Sequence, residues 1–195
     1  MPGGTDPHAT RLWSAWQSDG TAWLAARPGD GPPDGSVVGW RFAVSPDGAA
    51  SEPPAGEMPV FETVCGKDAA ASGHKRVAVV VDFGDADADA FPGEQPPRQD
   101  VVKCVAGAEG ATAVQLLASA ARVRVNDQGG VVAVDDYPAR EKGGAEPAAP
   151  AAAESAGESG GSPVVWIAGG AGVLLLLGGG AVVATRRRAK SPAAG

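Results

Sequence analysis

The stretch "RVAVVVDFG", residues 76–84, decides the fold. It is apolar at every position from Val77 to Val81, whereas a strand with one solvated face alternates apolar and polar residues. A continuous apolar run of this length is typical of a strand that is covered on both faces. We therefore predict that this stretch is a central strand, and that the rest of the domain packs around it.

A hairpin is predicted upstream, in "RLWSAWQSDGTAWLAA", residues 11–26. An Asp-Gly pair at 19–20 between two apolar runs is a strong hairpin signal. If that pair is the turn, Trp16 faces Trp23 across the hairpin, a contact that contributes up to about 1 kcal/mol. Trp13 then lies on the opposite face.

The next segment, "SVVGWRFAV", residues 36–44, is predicted to be a third strand. Its larger apolar residues recur at every second position, which is the period of a strand with one face in the core. They are Val38, Trp40, Phe42 and Val44.

Further elements lie on both sides of the central strand in the sequence. "VFETVC", residues 60–65, is predicted to form a helical turn that presents Cys65, and "DVVKCV", residues 100–105, a short strand that carries Cys104. "RVRV" and "GGVVAVDDYP" at residues 122–138 predict a hairpin with a glycine turn.

The main helix is predicted in "GATAVQLLASAA", residues 110–121. Thr112 and Gln115 have the spacing of a capping box. A helical period places Val114, Leu117 and Ala121 on one face.

These elements predict an α+β domain with a small mixed or antiparallel sheet and one main helix. We assign it to residues 11–140, after a disordered amino-terminal segment at residues 1–10. Cys65 and Cys104 are the only cysteines, and no CxxC spacing or histidine pair suggests zinc. Outside the cell they should form a disulfide, and in the cytoplasm they should stay reduced.

The acidic run "DFGDADADAF", residues 82–91, spaces Asp85, Asp87 and Asp89 like the first ligands of a calcium loop. The pattern then breaks, because Ala90 occupies the glycine position and Pro96 that of the bidentate glutamate. We predict a solvated acidic loop without a metal. No nucleophile, phosphate or dinucleotide motif is recognisable, so we expect no enzyme, no catalytic residue and no cofactor.

Four of the five tryptophans lie between positions 13 and 40. One interpretation is that they form the core of a domain poor in Phe and Tyr, which we favour for Trp16 and Trp40. The other is a binding platform, because exposed aromatic rings stack on ligands. A hairpin with aromatics on both faces exposes one of them unless it is covered, so Trp13 and Trp23 are the candidate ligand-facing residues.

The end of the chain is predicted to be a stalk and a membrane span. Residues 143–163 hold only Gly, Ala, Glu, Pro and Ser, a composition that is typical of a flexible segment. We therefore predict a stalk at residues 141–163. Residues 164–184 carry no charge, and these 21 residues at ~1.5 Å each match a hydrocarbon core of about 30 Å. We predict one transmembrane helix there.

Charge predicts the orientation of that span. The chain has 16 Lys and Arg against 23 Asp and Glu. Four of the basic residues lie in the tail 185–195. The residues before the span therefore include 12 positive and 23 negative ones, a net charge of −11. Basic flanks stay in the cytoplasm, so the domain should lie outside, and its acidity excludes nucleic acid as a partner. The tail residues are Arg186, Arg187, Arg188 and Lys190.

Export of the domain normally requires an amino-terminal leader, and "MPGGTDPHATRLW" lacks one. Two interpretations are open. Either the true start lies upstream of Met1, which we favour, or the protein is tail-anchored with a cytoplasmic domain.

The stretches "WSAW", "DGSVVGWRFAV", "VAVVVDFG", "GATAVQLLASA" and "DDYP" carry a resemblance that covers about residues 11–140. Through them the sequence resembles an uncharacterised actinobacterial family of membrane-anchored surface proteins, encoded near energy-coupling-factor vitamin transporters. The helix and the strands after it are also similar to the β-grasp-like domain of transcobalamin-type proteins. Relatives have a second cysteine pair where this chain has Val132 and Lys142.

The resemblance implies an extracytoplasmic module with a β-grasp-like fold that serves a vitamin-type transporter. We expect the lipid bilayer and such a transporter, or another envelope protein, as partners. The alternative is a structural or adhesive surface protein without a small-molecule ligand.

Overall fold

The computed structural model describes residues 8–50 and 52–150. The predicted span, the basic tail and most of the stalk lie outside these residues, as does most of the amino-terminal segment. Within the described part of the chain, no helix is long and apolar enough to cross a membrane. The elements are β1 (Arg11–Ser18), β2 (Trp23–Ala26), β3 (Val37–Val44), α1 (Phe61–Cys65), β4 (His74–Asp82), β5 (Val101–Ala108), α2 (Ala113–Ala120), β6 (Val123–Val125) and β7 (Val131–Val134).

Five strands form a mixed sheet in the order β2-β1-β3-β4-β5. β3 and β4 are parallel, and the other neighbours are antiparallel. β4 is paired along both edges, and its residues from Val77 to Val81 are buried. The prediction of a central strand is confirmed, as is the α+β class.

One face of the sheet carries the main core. Its β3 and β4 residues pair in register, with Val38 beside Val79 and Trp40 beside Val81. α2 covers this face through four buried residues, Ala113, Leu116, Leu117 and Ala120. The capping box of Thr112 and Gln115 is confirmed. The apolar face of α2 differs from the predicted one. Val114 and Ala121 lie at the margin of the buried face and are only partly buried.

The opposite face of the sheet carries a smaller apolar cluster. Val37, Ala78 and Val80 are buried there, and Trp23 and residues 61–65 pack against them. The connection from β3 to β4 supplies this cover, including the helical turn α1 that the sequence predicted. α1 itself has no fully buried residue, so apolar packing alone holds it weakly.

The amino-terminal hairpin exists, but its predicted register was wrong. Ser18 pairs with Trp23 and Trp16 with Ala25, so Trp16 and Trp23 are not opposite each other. The reason is the side chain of Asp19, whose Oδ1 accepts hydrogen bonds of 2.8 Å from the backbone N–H groups of Thr21 and Ala22. These bonds stabilise a four-residue loop in place of a two-residue turn.

The prediction of one sheet was also incomplete. β6 and β7 form the expected hairpin, but they make a separate two-stranded sheet. The domain also continues past its predicted end at residue 140. Ala145 exchanges backbone hydrogen bonds with Val125, and Gln115 donates a side-chain hydrogen bond to the carbonyl of Ala148.

Gly39 in β3 marks a close approach between the sheet and its cover. A Cβ there would lie 2.6 Å from Cγ of Pro54 and 3.0 Å from the ring of Trp23. We expect Gly39→Ala to lower the free energy of unfolding by about 1–3 kcal/mol, the usual cost of overpacking. Urea denaturation followed by tryptophan fluorescence measures this change. Gly29→Ala is the control, because its Cβ would meet no atom within 4 Å; equal effects of the two variants would contradict the packing argument.

Candidate functional site

Three segments that are distant in the sequence meet to form a groove of about 390 Å³. They are residues 17–20 at the end of β1, residues 33–37 at the start of β3, and residues 58–61 at the start of α1. We call this feature the Phe61 groove. Its volume lies at the lower end of the range of about 300–1,000 Å³ that is typical of small-molecule sites.

The segment before β3 is held in place by hydrogen bonds to the start of β4. The carboxylate Oδ1 of Asp34 accepts from the backbone N–H of Arg76 at 2.6 Å, and the N–H of Gly35 donates to the carbonyl of Arg76 at 3.0 Å. The hydroxyl of Ser36 donates to the carbonyl of Pro33 at 2.7 Å. This wall of the groove is therefore preformed.

The floor of the Phe61 groove is apolar. Val37 is buried, Met58 and Phe61 are half-buried, and Val60 is 63% exposed. An exposed apolar side chain beside a partly apolar groove offers surface that a ligand would remove from water. The groove thus has the composition of a binding site for a ligand with an apolar body.

The charged groups that line the groove are acidic. Asp19 and Asp34 lie at its margin, and no Lys, Arg or His is among the described residues that line it. The hydrogen bonds from Thr21 and Ala22 hold the pKa of Asp19 below its usual value. That carboxylate is therefore ionised at neutral pH.

A disulfide fixes the α1 side of the groove. Cys65 and Cys104 are bonded, with their Cα atoms 5.0 Å apart, which confirms the predicted pair. The bond joins the end of α1 to β5, and Phe61 is the first residue of α1. Arg76 adds a second tie, because it donates to the carbonyl of Cys65 at 2.9 Å and its guanidinium lies 5.7 Å from the ring centroid of Phe61.

The two candidate tryptophans occupy different places. Trp23 is half-buried and packs on the same apolar cluster as Phe61, next to the groove but not in its lining. Trp13 is only 6% exposed, and its indole N–H donates to the carbonyl of Tyr137 at 3.3 Å. Trp13 contacts Phe42 and Phe83 in the core, so the structure does not support the expectation of an open ligand-facing surface at this residue.

The accessible edge of Trp13 lines a pocket of about 230 Å³ together with Arg11, Phe42 and Phe91. Another depression, of about 640 Å³, lies between residues 27–30 and the loop 126–130 and is formed largely by loop residues. The first is small and the second offers few apolar side chains. The Phe61 groove is larger than the first and has a more apolar lining than the second, and hydrogen bonds hold its polar groups in place.

Sequence analysis missed a buried ion-pair network on the face of β3 opposite the main core. The guanidinium of Arg41 pairs with Asp82, and with Asp89 at 3.1 Å, and all three residues are at most 7% exposed. Glu52 approaches from the surface at 3.2 Å. Burial acts to lower the pKa of Arg41, but the surrounding carboxylates outweigh it and raise the pKa above its usual value.

The network corrects the prediction of a solvated acidic loop. Asp89 is buried, and its carboxylate accepts from the backbone N–H groups of Val44 and Asp85 as well as from Arg41. Asp85 and Asp87 are exposed as predicted. Among the residues that the structure describes, no group of His, Cys, Asp and Glu is arranged to hold a metal ion.

The described domain matches the model of a known domain family. The model of the SCO2322-like domain matches residues 6–149, which include every described element. The chain belongs to the SCO2322-like domain family. The matched range includes the residues up to Ala148 that contact the domain, past the predicted end at residue 140. No curated protein and no solved structure matches the chain. The matched family is uncharacterised, so it assigns no activity.

Proposed function

We propose that this SCO2322-like domain is an extracytoplasmic binding module, anchored to the membrane by residues 164–184, and that its ligand occupies the Phe61 groove. The observation that carries the proposal is the groove itself. Its apolar floor ends in Val60, which is 63% exposed although it belongs to a preformed site. Removing this surface from water would favour an apolar ligand.

The location outside the cytoplasm is supported by the disulfide between Cys65 and Cys104. Disulfides persist in oxidising compartments and are rare in cytosolic proteins. The uncharged run before Arg186, Arg187, Arg188 and Lys190 supports the same orientation, with the tail in the cytoplasm.

The resemblance to surface proteins encoded near energy-coupling-factor transporters suggests the role of the module. It would capture a vitamin-type ligand and present it to such a transporter or to another envelope protein. The similarity to the β-grasp-like domain of transcobalamin-type proteins belongs to the same proposal. In this role the domain binds and releases its ligand and catalyses no reaction.

A structural or adhesive surface protein is the second candidate. The observation that favours it is that Trp13, Trp16 and Trp40 are all buried, so these tryptophans serve the core. Under this alternative the Phe61 groove contacts no small molecule.

A thermal-shift screen of the full chain against vitamins and other small molecules with an apolar part separates the two candidates. A ligand that binds only the folded state stabilises it by mass action, by about 2.7 kcal/mol at a hundred times its Kd. We expect at least one compound to raise the Tm, and Val60→Lys to abolish the increase, since it replaces an apolar side chain of the groove floor by a charged one.

Val102→Lys is the matched control. Val102 is 49% exposed and does not line the groove, so the same substitution there should leave the ligand-induced increase intact. A screen without stabilising compounds would favour the structural alternative. An increase that survives Val60→Lys would contradict the assignment to this groove.

A further inference from the structure

The Phe61 groove carries an imbalance of charge that its apolar floor does not explain. It is lined by two carboxylates, those of Asp19 and Asp34, and by no basic side chain among the described residues. Neither carboxylate forms a salt bridge within the described part of the chain. The two negative charges beside the groove are therefore not neutralised by an ion pair.

Each carboxylate is also oriented by the backbone. Oδ1 of Asp19 accepts from the N–H groups of Thr21 and Ala22, and Oδ1 of Asp34 accepts from the N–H of Arg76. These bonds use one oxygen of each side chain. The second oxygen, Oδ2, has no hydrogen-bond partner among the described residues, so it can accept from a ligand.

The guanidinium of Arg76 forms no salt bridge with either carboxylate within the described part of the chain. Arg76 lies against the ring of Phe61 and donates to the carbonyl of Cys65. It is not among the residues that line the groove. Its role in the structure is to hold α1 against the sheet.

We infer that the Phe61 groove selects a small organic cation with an apolar body, whose ammonium group pairs with Asp19 and Asp34 while the body covers Val37, Val60 and Phe61. This inference rests on the proposed function and names the class of ligand. Charge complementarity argues for it, since a cation gains Coulomb energy beside two carboxylates and an anion loses it. The volume of about 390 Å³ argues for a small molecule, because it lies within the range of about 300–1,000 Å³ that is typical of small-molecule sites.

The test is a titration of the full chain with three probes that share one body and differ in charge. They are 4-phenylbutylamine, the neutral 4-phenyl-1-butanol and the anionic 4-phenylbutyrate. We expect the amine to bind at least tenfold more tightly than the alcohol, and the butyrate more weakly than either. The preference for the amine should shrink as the salt concentration rises, because ions screen partly exposed charges.

Two variants assign the preference to residues. Asp19→Asn and Asp34→Asn each keep an oxygen that can accept the backbone hydrogen bonds, so the loops should remain folded. Each should weaken binding of the amine at least fivefold and leave binding of the alcohol unchanged. Asp127→Asn, at an exposed position outside the groove lining, is the matched control and should change neither. The probes also partition into the detergent that holds the full chain, and comparison between variants cancels this contribution.

The outcomes separate this inference from the proposed function. If the alcohol binds as tightly as the amine and Val60→Lys blocks both, the groove binds ligands but the preference for a cation is refuted. If no probe binds and no screened compound stabilises the protein, both proposals fall. If an acetylated leucine-lysine tetrapeptide binds more tightly than the amine, the ligand is a peptide segment and the assignment to a small molecule is overturned.

Discussion

Replacing Arg41 by methionine should lower the free energy of unfolding by about 3–5 kcal/mol, the usual cost of removing one partner from a buried ion pair. Methionine fills much of the volume of arginine but carries no charge. Asp82 and Asp89, each 5% exposed, would then face each other without their counter-ion. Urea denaturation followed by tryptophan fluorescence measures the loss.

The network explains why this effect should exceed that of other charged residues. Asp82 also accepts from the backbone N–H of Ala55, and Asp89 from that of Val44. The ion pairs thus join β3 and the end of β4 to the two loops that follow these strands. Removing the guanidinium weakens all of these contacts between the strands and the loops at once.

Arg122→Met is the matched control for Arg41→Met. Arg122 pairs with Asp136 at the surface, where the two side chains are 75% and 64% exposed. Exposed pairs contribute about 0–1 kcal/mol, so this variant should be nearly neutral. A partial recovery is expected when Asp82→Asn and Asp89→Asn are added to Arg41→Met. Equal losses for Arg41→Met and Arg122→Met would show that the buried pair does not stabilise the fold.

Replacing both cysteines by alanine should cost about 2–4 kcal/mol. The disulfide closes a loop with a sequence separation of 39, and a loop of this length gives close to 4 kcal/mol in the chain-entropy treatment. The native state should also change locally, because α1 has no fully buried residue that would hold it without the bond. Denaturation curves measure the stability, and amide hydrogen exchange reports on residues 61–65.

Reduction provides the control for the cysteine variant. Dithiothreitol should destabilise the wild type to the level of the double variant and leave the variant unchanged. Because Phe61 begins α1, the same treatment should weaken binding in the Phe61 groove. A loss below about 1 kcal/mol, with unchanged protection of residues 61–65, would contradict the view that the crosslink holds the groove wall.

Local patterns predicted much of the fold because they follow from the physics of single elements. A run that is apolar on both faces requires cover on both sides, which identified β4. Alternation identified the core face of β3, and the spacing of Thr112 and Gln115 identified the start of α2. The pair Cys65–Cys104 followed from the cysteine count once an oxidising compartment was assumed.

The hairpin register could not be predicted from the same patterns. An Asp-Gly pair predicts a two-residue turn, but the carboxylate of Asp19 competes by accepting backbone hydrogen bonds two and three residues ahead. Both outcomes use the same residues. The choice between the two-residue turn and the four-residue loop depends on which residues of β1 pair with β2.

The buried network and the groove were missed for a different reason. Arg41 lies on the outward phase of an alternating strand, and such a position normally predicts exposure to solvent. Its burial arises because the β3–β4 connection covers that face and because Asp82 and Asp89 lie beside it. The Phe61 groove likewise joins three segments that are about 15–25 residues apart in sequence. Neither feature has a contiguous motif.

The claim on which the functional account depends is that the Phe61 groove binds the ligand, and amide chemical-shift mapping of the full chain with 4-phenylbutylamine tests it directly. The account predicts concentration-dependent shifts at residues 18–20, 34–36 and 60–61, and their loss in Val60→Lys, which places a positive charge beside the ammonium group. Shifts confined to other surfaces, or a spectrum unchanged at saturating amine, would contradict it.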